Sequence, residues 1–441
     1  MEEYLKTLLE QIRCKKAHAS IYHELKGHIE EQIDENKAQG MSKDEAVKEA
    51  LKDMGDPVQV GVEMDQIHRP QIAWKLILAI GILTLFSIFA QYLITKNLPL
   101  GNDVDIFRHH IFNAILSFLT MIAIYRIDYS LIGKYAKWIA TAFLLFATFQ
   151  IFIVDYRVNG MLYMRILSHP FTISPFFFLY VPVFGAILYR YRGKNWRALP
   201  KIFIWMALPL FLTLRLPNLG LTVSLFFMMA GLLTIAVWKE WFTIPKKRFL
   251  AAFWGISFLA PIALYLIFIQ TGNLTAYQEI RIRKLFDQGE ISYIQQALQN
   301  AMQNCTFIGE GSKTSMLLEG GNSTYPLSML TACYGIFVTL LVLLLLFLFI
   351  RKIFRISSSQ KNQLGMMMGY GCGMVFFVSA FWNTIVTTGL VPPTYTFLPI
   401  FSYGGATMLV SYILLGIVLS IYRYRNVLSD RYMYKKNWDA A

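Results

Sequence analysis

The sequence predicts an all-α fold: a polytopic membrane protein with ten transmembrane helices, a large outer loop between the seventh and eighth, and a small helical domain at the N-terminus. Three observations predict it. Of 441 residues, 56% are hydrophobic and 15% charged, with a mean hydropathy of +0.45, far too apolar for one soluble domain. Apolar runs of about 20 residues recur from Gln71 onward, the length that a bilayer core of ~30 Å demands. Charge is also split: residues 1–70 hold 15 acidic and 10 basic residues (−5), and the remainder holds 12 acidic and 31 basic (+19), which together give the net +14.

Residues 1–70 read as a cytoplasmic helical domain. Leu5, Leu8, Leu9 and Ile12 share one helical face, and Ile21, Leu25, Ile29 and Ile33 repeat every four residues on a second. Ser42 and Glu45 have capping-box spacing, and Gly55-Asp56-Pro57 stops the helix that follows them. No secretory signal precedes this polar segment. The stretch from Gly40 to Pro57 resembles the prefix domain ahead of some bacterial permease-like proteins, which implies a regulatory or assembly role; a passive solubilising cap fits the residues equally well.

The expected spans are 72–95, 106–126, 135–154, 173–190, 200–215, 220–238, 249–270, 327–350, 364–386 and 404–422, within a membrane domain over 71–426 followed by a basic tail over 427–441. Leu216-Pro217-Asn218-Leu219-Gly220 makes a tight hairpin between the fifth and sixth. With the N-terminus inside, the internal connections carry 21 lysines and arginines and the longer external ones nine, so both termini are expected in the cytoplasm. A basic excess placed this way reads as membrane topology and not as nucleic-acid binding. Cys14, Cys305, Cys333 and Cys372 show no disulfide or zinc spacing. No motif asks for a nucleotide, metal or other cofactor.

Two stretches interrupt this pattern. The outer connection from Thr271 to Pro326 is too long for a bare turn, and within it Ile291–Asn304 has helical character. Pro392–Gly405, reading PPTYTFLPIFSYGG, cannot form a continuous helix, because each proline removes a donor and the Gly-Gly pair favours unusual φ. Irregular backbone at membrane depth survives only where protein or a water-filled cavity satisfies its polar groups. The stretch is therefore either the wall of a site or an ordinary re-entrant turn.

Several motifs resemble one family. Leu398-Pro399-Ile400-Phe401-Ser402-Tyr403-Gly404-Gly405 is similar to the signature box of the SEDS family (FtsW, RodA and SpoVE). Asn383 and Gly389 match its upstream pattern, and Leu216–Gly220 its turn after span five. Arg165 with His169–Pro175, and Arg281-Ile282-Arg283 with Ser292–Leu298 and Gly309–Gly311, resemble its outer segments. The resemblance implies polymerisation of lipid II, a polyprenyl-diphosphate-linked cell-wall precursor, at the outer leaflet, in partnership with a class B penicillin-binding transpeptidase. It implies substrate-binding roles for Arg165, Arg281, Arg283, Gln295, Asn383, Pro399, Ser402, Tyr403, Gly404 and Gly405. Arg215 is a further outer cation for the diphosphate.

The chain departs from the family where charge is needed. Thr324 stands at the family's catalytic aspartate, Phe177 and Tyr180 at a glutamate and a lysine, and Asn218 at a further aspartate. None of these four ionises as such chemistry requires. Glu319 is the nearest acid in sequence, with Glu310, Asp287 and Glu290 further off. Three functions therefore compete: a glycosyltransferase with a relocated base, a lipid-binding regulator or scaffold without turnover, and a lipid transporter. Few titratable groups lie inside the spans, which weighs against transport.

Overall fold

The computed structural model describes residues 1–96, 103–153, 157–158, 161–162, 164–166, 169–216, 218–271, 293–309, 321–391 and 396–427. Four helices build the N-terminal domain: α1 (Glu2–Glu10), α2 (Lys15–Ala38), α3 (Lys43–Asp53) and α4 (Pro57–His68). The two apolar faces read from the sequence meet in its core, where Leu5, Leu8, Ile12, Ile21, Leu25, Ile29 and Ile33 are buried. Both halves of the capping box form, Ser42 accepting from the Glu45 amide while the Glu45 carboxylate accepts from the Ser42 amide. Gly55-Asp56-Pro57 ends α3 and also starts α4, since the Asp56 side chain caps it and Pro57 occupies its first turn.

Asp65 of α4 is buried and accepts from the backbone and guanidinium of Arg13. Desolvation pushes its carboxyl up, but the Arg13 hydrogen bonds and charge outweigh that, leaving its pKa below the usual aspartate value.

The membrane domain follows as α5 (Trp74–Thr95), α6 (Asp103–Arg126), α7 (Tyr129–Lys134), α8 (Ala136–Ile153), α9 (Tyr180–Arg190), α10 (Leu199–Leu214), α11 (Leu219–Trp238) and α12 (Lys246–Thr271). After these come α13 (Tyr293–Gln303), α14 (Gly321–Thr324), α15 (Pro326–Tyr334), α16 (Ile336–Ser358), α17 (Gln363–Thr387) and α18 (Gly405–Arg423). Among the described residues, eight helices are long and apolar enough to cross a membrane. The expected fourth span is shorter: Ser174–Leu179 is a 3-10 turn running into α9. The expected seventh is the 26-residue α12, which is not one of those eight.

The eighth expected span is corrected. The apolar run from Leu327 is not one helix but α15 and α16, broken at Gly335 with φ +91. Backbone bonds from Gly309, Ile336 and Phe337 tie the break to residues 306–309, and a Cβ on Gly335 would lie 2.7 Å from the Phe307 carbonyl oxygen. Only glycine meets both demands. Two short antiparallel hairpins, Arg157–Val158 with Met161–Leu162 and Met164–Ile166 with His169–Phe171, are the strands among the described residues. The rest of the described chain is helix, turn and loop, and the fold class is all-α as expected.

Small residues let the core helices approach. A Cβ on Gly371 of α17 would sit 2.8 Å from Pro182 of α9, and one on Gly185 would sit 2.9 Å from the Met367 carbonyl. On the other side, Gly416 of α18 packs against Met121 and Ile124 of α6. Lipid gives no hydrophobic drive between helices, so such close packing is what holds them together.

The N-terminal domain docks on one face of the bundle, called here the near face. Lys16 forms a 2.8 Å ion pair with the buried Asp128, which also caps α7 through Ser130. Gln71 donates to the Arg423 carbonyl at the end of α18, and His68 is 2.7 Å from the Asn426 carbonyl. The opposite, far face carries the ends of α5, α15 and α17 and the start of α18.

Gly371→Ala should lower stability in detergent by about 1–3 kcal/mol, the usual cost of overpacking a filled core, as read by thermal unfolding. Because the folded pKa of Asp65 is depressed, its contribution is present above the ordinary aspartate pKa and lost as pH falls through the folded value. Limited proteolysis of the N-terminal domain should accelerate across that acid range, and Asp65→Asn should remove the acceleration.

Candidate functional site

The site is built around backbone that is not helical. Residues 396–404 run through buried surroundings between α17 and α18, with Phe397, Leu398, Ile400, Phe401 and Ser402 all buried. Pro399 lies in a turn closed by amide bonds from Phe401 and Ser402 to the Leu398 carbonyl. The Ser402 hydroxyl returns the favour, accepting the Leu398 amide at 2.7 Å. Ile400 takes φ +71, a left-handed conformation that a β-branched residue adopts only under constraint. Gly404 takes φ +140 and opens α18.

The carbonyls this turn exposes are met by α5. Ser87 donates to the Ile400 carbonyl at 2.7 Å, and the Gln91 amide donates to Phe401 at 2.7 Å and Asn322 at 3.1 Å. The Asn322 carbonyl also accepts from the Tyr403 amide, which joins α14 to the box. α6 closes the other side: His110, fully buried, stacks on the Tyr403 ring with centroids 6.0 Å apart, and Asn113 abuts Gly405.

Asn383 ties the remaining pieces together. From α17 its side-chain nitrogen donates to the Thr324 carbonyl at 2.8 Å and the Thr396 hydroxyl at 3.0 Å. Gln295 and Gln299 of α13 both donate to the carbonyl of Gly389, at 3.1 and 3.0 Å. A side chain on Gly389, at φ +69, would collide with Gln299.

The structure thus brings Thr324, Asn383, Pro399, Ser402, Tyr403, Gly404 and Gly405 into one neighbourhood, with Gln295 beside it. Arg165 pairs in register with Pro170 in a hairpin. Arg281, Arg283, Glu319, Glu310, Asp287 and Glu290 lie outside the described residues. The three other neutral positions serve packing and capping. Phe177 stacks edge-on against Phe143, the Tyr180 hydroxyl donates to the Trp205 carbonyl, and Asn218 caps α11 through the Leu221 amide.

Sequence reasoning missed Ser87, Gln91 and His110. A signal was there: Thr84, Ser87, Gln91 and Thr95 recur at three- and four-residue spacing along one face of a strongly apolar helix, and all four are buried. Polar groups kept at membrane depth mark either a function or a backbone to be satisfied.

Chemically the site is an array of buried amides and hydroxyls. Among the described residues, Asn383 Oδ1, Gln91 Oε1, Ser328 Oγ, Ser379 Oγ and His110 Nδ1 are buried without a hydrogen-bond partner. Free acceptors in a low-dielectric setting can hold hydroxyl or amide donors of a ligand firmly. No carboxylate among the described residues bonds to the box, and no group of metal-ligating side chains occurs among them.

Residues 70–427 match the family model described as "Cell cycle protein", which covers FtsW, RodA and SpoVE. The chain belongs to this family. A probable peptidoglycan glycosyltransferase FtsW from Trichlorobacter lovleyi is 28% identical over 114 residues, 26% of this chain and 30% of that protein. A peptidoglycan glycosyltransferase MrdB from Helicobacter pylori is 24% identical over 259 residues, 56% of this chain and 61% of that protein. The chain thus spans less than two thirds of these curated relatives. Among solved structures it resembles a chain from a peptidoglycan synthase complex coordinating polymerization and crosslinking, with TM-score 0.65 and 19% identity over 80% of this chain and 98% of that one. The rod shape determining protein RodA from Thermus thermophilus gives TM-score 0.55 and 17% identity over 80% and 97%. These likenesses show a shared FtsW/RodA/SpoVE fold in an integral membrane protein.

Replacing Gln91 by Leu strips the buried Phe401 carbonyl of its side-chain donor and leaves the Asn322 carbonyl with the Tyr403 amide alone. Orphaning a buried carbonyl costs about 1–3 kcal/mol and a second bond is lost with it, so Gln91→Leu should lower the thermal midpoint in detergent more than Ser87→Ala does.

Proposed function

We propose that this chain lies in the bacterial cytoplasmic membrane with both termini in the cytoplasm and takes lipid II at the far face, which is then the outer one. It serves cell-wall synthesis as a precursor-binding regulator or scaffold that does not turn the precursor over. One observation carries this reading. Thr324 occupies the position that the family resemblance gives to the catalytic aspartate, and its carbonyl is bonded to Asn383. General base catalysis needs a titratable group within reach of the attacking hydroxyl, and a threonine offers none at neutral pH. The ordered amides and hydroxyls around Asn383 and Ser402 suit recognition instead. Arg165, Arg215, Arg281 and Arg283 would face the diphosphate, and a class B penicillin-binding transpeptidase is the natural partner. The lysine and arginine asymmetry supports the orientation.

A second reading, glycosyl transfer with a relocated base, is favoured by His110. It is the ionisable side chain that stacks on the box, and its Nδ1 has no partner among the described residues. Glu319 is the acidic alternative.

Purified full-length chain should bind fluorescent lipid II without producing polymer, and Asn383→Ala should weaken the binding about tenfold, the loss of one to two good buried hydrogen bonds. Polymer formed by the unaltered chain and abolished by His110→Ala or Glu319→Ala would replace this reading with the second. Polymer gained only in Thr324→Asp would support it. Uptake of labelled lipid into sealed vesicles would favour transport.

A further inference from the structure

A second pocket lies on the near face, away from the box. It is a cavity of about 920 Å³ between the start of α5 and the end of α16, closed by the chain just after α18. Its polar lining is cationic: Lys75 from α5, Arg351, Lys352 and Arg355 from α16, and Arg425 beyond α18. No acid lines it, and none of these five forms an ion pair with a carboxylate among the described residues. Lys352 reaches only a backbone partner, the Lys75 carbonyl at 3.2 Å. Arg425 Nε is buried with no hydrogen-bond partner.

Five positive charges around one hollow repel each other, and desolvating Arg425 Nε without an acceptor costs more. Both costs vanish if an anion fills the space. The start of α5 also borders the cavity: Ala73, Trp74 and Lys75 line it, and the cap residue, Ala73, supplies no side-chain acceptor, so the positive end of the helix dipole lies beside the hollow. Apart from Ser359 and Tyr422 the rest of the lining is apolar, and part of it is exposed. Trp74 is 69% exposed, Leu348 49% and Ile72 51%. An exposed tryptophan beside arginines is what a membrane–water interface selects. A pocket that joins phosphate-binding cations to acyl-compatible walls matches a lipid better than a soluble anion.

We propose that this pocket binds the phosphodiester headgroup of an anionic phospholipid, with Arg351, Arg355 and Arg425 on the phosphate and Trp74 and Leu348 along the upper acyl chains. The leaflet is the cytoplasmic one, a statement that rests on the orientation proposed above; the binding itself does not. The bound lipid would also brace the junction where Gln71 meets Arg423, at the foot of the N-terminal domain.

The full chain, purified in detergent, should retain and be thermally stabilised by phosphatidylglycerol but not by phosphatidylcholine, as read by native mass spectrometry and thermal unfolding. The pair Arg351→Gln and Arg355→Gln should weaken phosphatidylglycerol binding about tenfold or more, given roughly fivefold per basic residue at an anionic lipid surface. Arg351→Lys with Arg355→Lys should keep most of it, and Lys247→Gln with Arg248→Gln, cations on the same face outside the cavity, should leave it unchanged. Equal binding of the two lipids, or equal loss in both glutamine pairs, would overturn the proposal. So would full competition by glycerol 3-phosphate or inorganic phosphate at matched concentration, which would make it a soluble-anion site.

Discussion

The structure turns on one constraint: backbone that leaves the helix at membrane depth must find its hydrogen bonds within the protein. Residues 396–404 leave the helix there, and side chains, chiefly from a neighbouring helix, meet their backbone groups. Ser87 and Gln91 come from α5, while Ser402 comes from the stretch itself. Because Gln91 also holds Asn322, and Asn383 holds Thr324, the same amides fix the position of α14. The site is therefore shaped by the need to satisfy carbonyls before any ligand arrives. The close-packed glycines of α9 and α17 supply the rigid wall behind it.

The two faces of the bundle do different things with charge. The far-face site is neutral among the described residues and works through dipoles. The near face concentrates cations, and there the buried Asp128 is held by Lys16 while capping α7. Lys16 also lies over the Tyr424 ring, 5.2 Å from its centroid. The N-terminal domain is thus fastened to the corner between α6 and α7 and to the end of α18, the helix whose other end is Gly405. Those contacts give it a physical connection to the membrane domain beyond a linker.

Much of this was legible in the chain itself. The period of Ile21, Leu25, Ile29 and Ile33 placed a buried face, and Ser42 with Glu45 placed a helix start, because local rules decide both. The Pro399 to Gly405 stretch announced broken helix for the same reason. The helix break at Gly335 escaped notice because hydropathy is continuous across it; its need for glycine comes from Phe307, distant in sequence. The short hairpins before Ser174 gave no alternating pattern long enough to read. His110 was hidden by company: next to Arg108 and His109 it reads as part of a polar helix end, and only packing against Tyr403 sets it apart. Gln91 needed the fold to show which carbonyls it serves.

Ile400 sits in left-handed geometry that its own branched side chain resists, and it is kept there by surrounding elements and not by local preference. A synthetic peptide covering this loop would relax to an extended form and lose the arrangement. Antibodies raised against such a fragment, or inhibitors screened on it, would recognise a shape that the intact protein does not display.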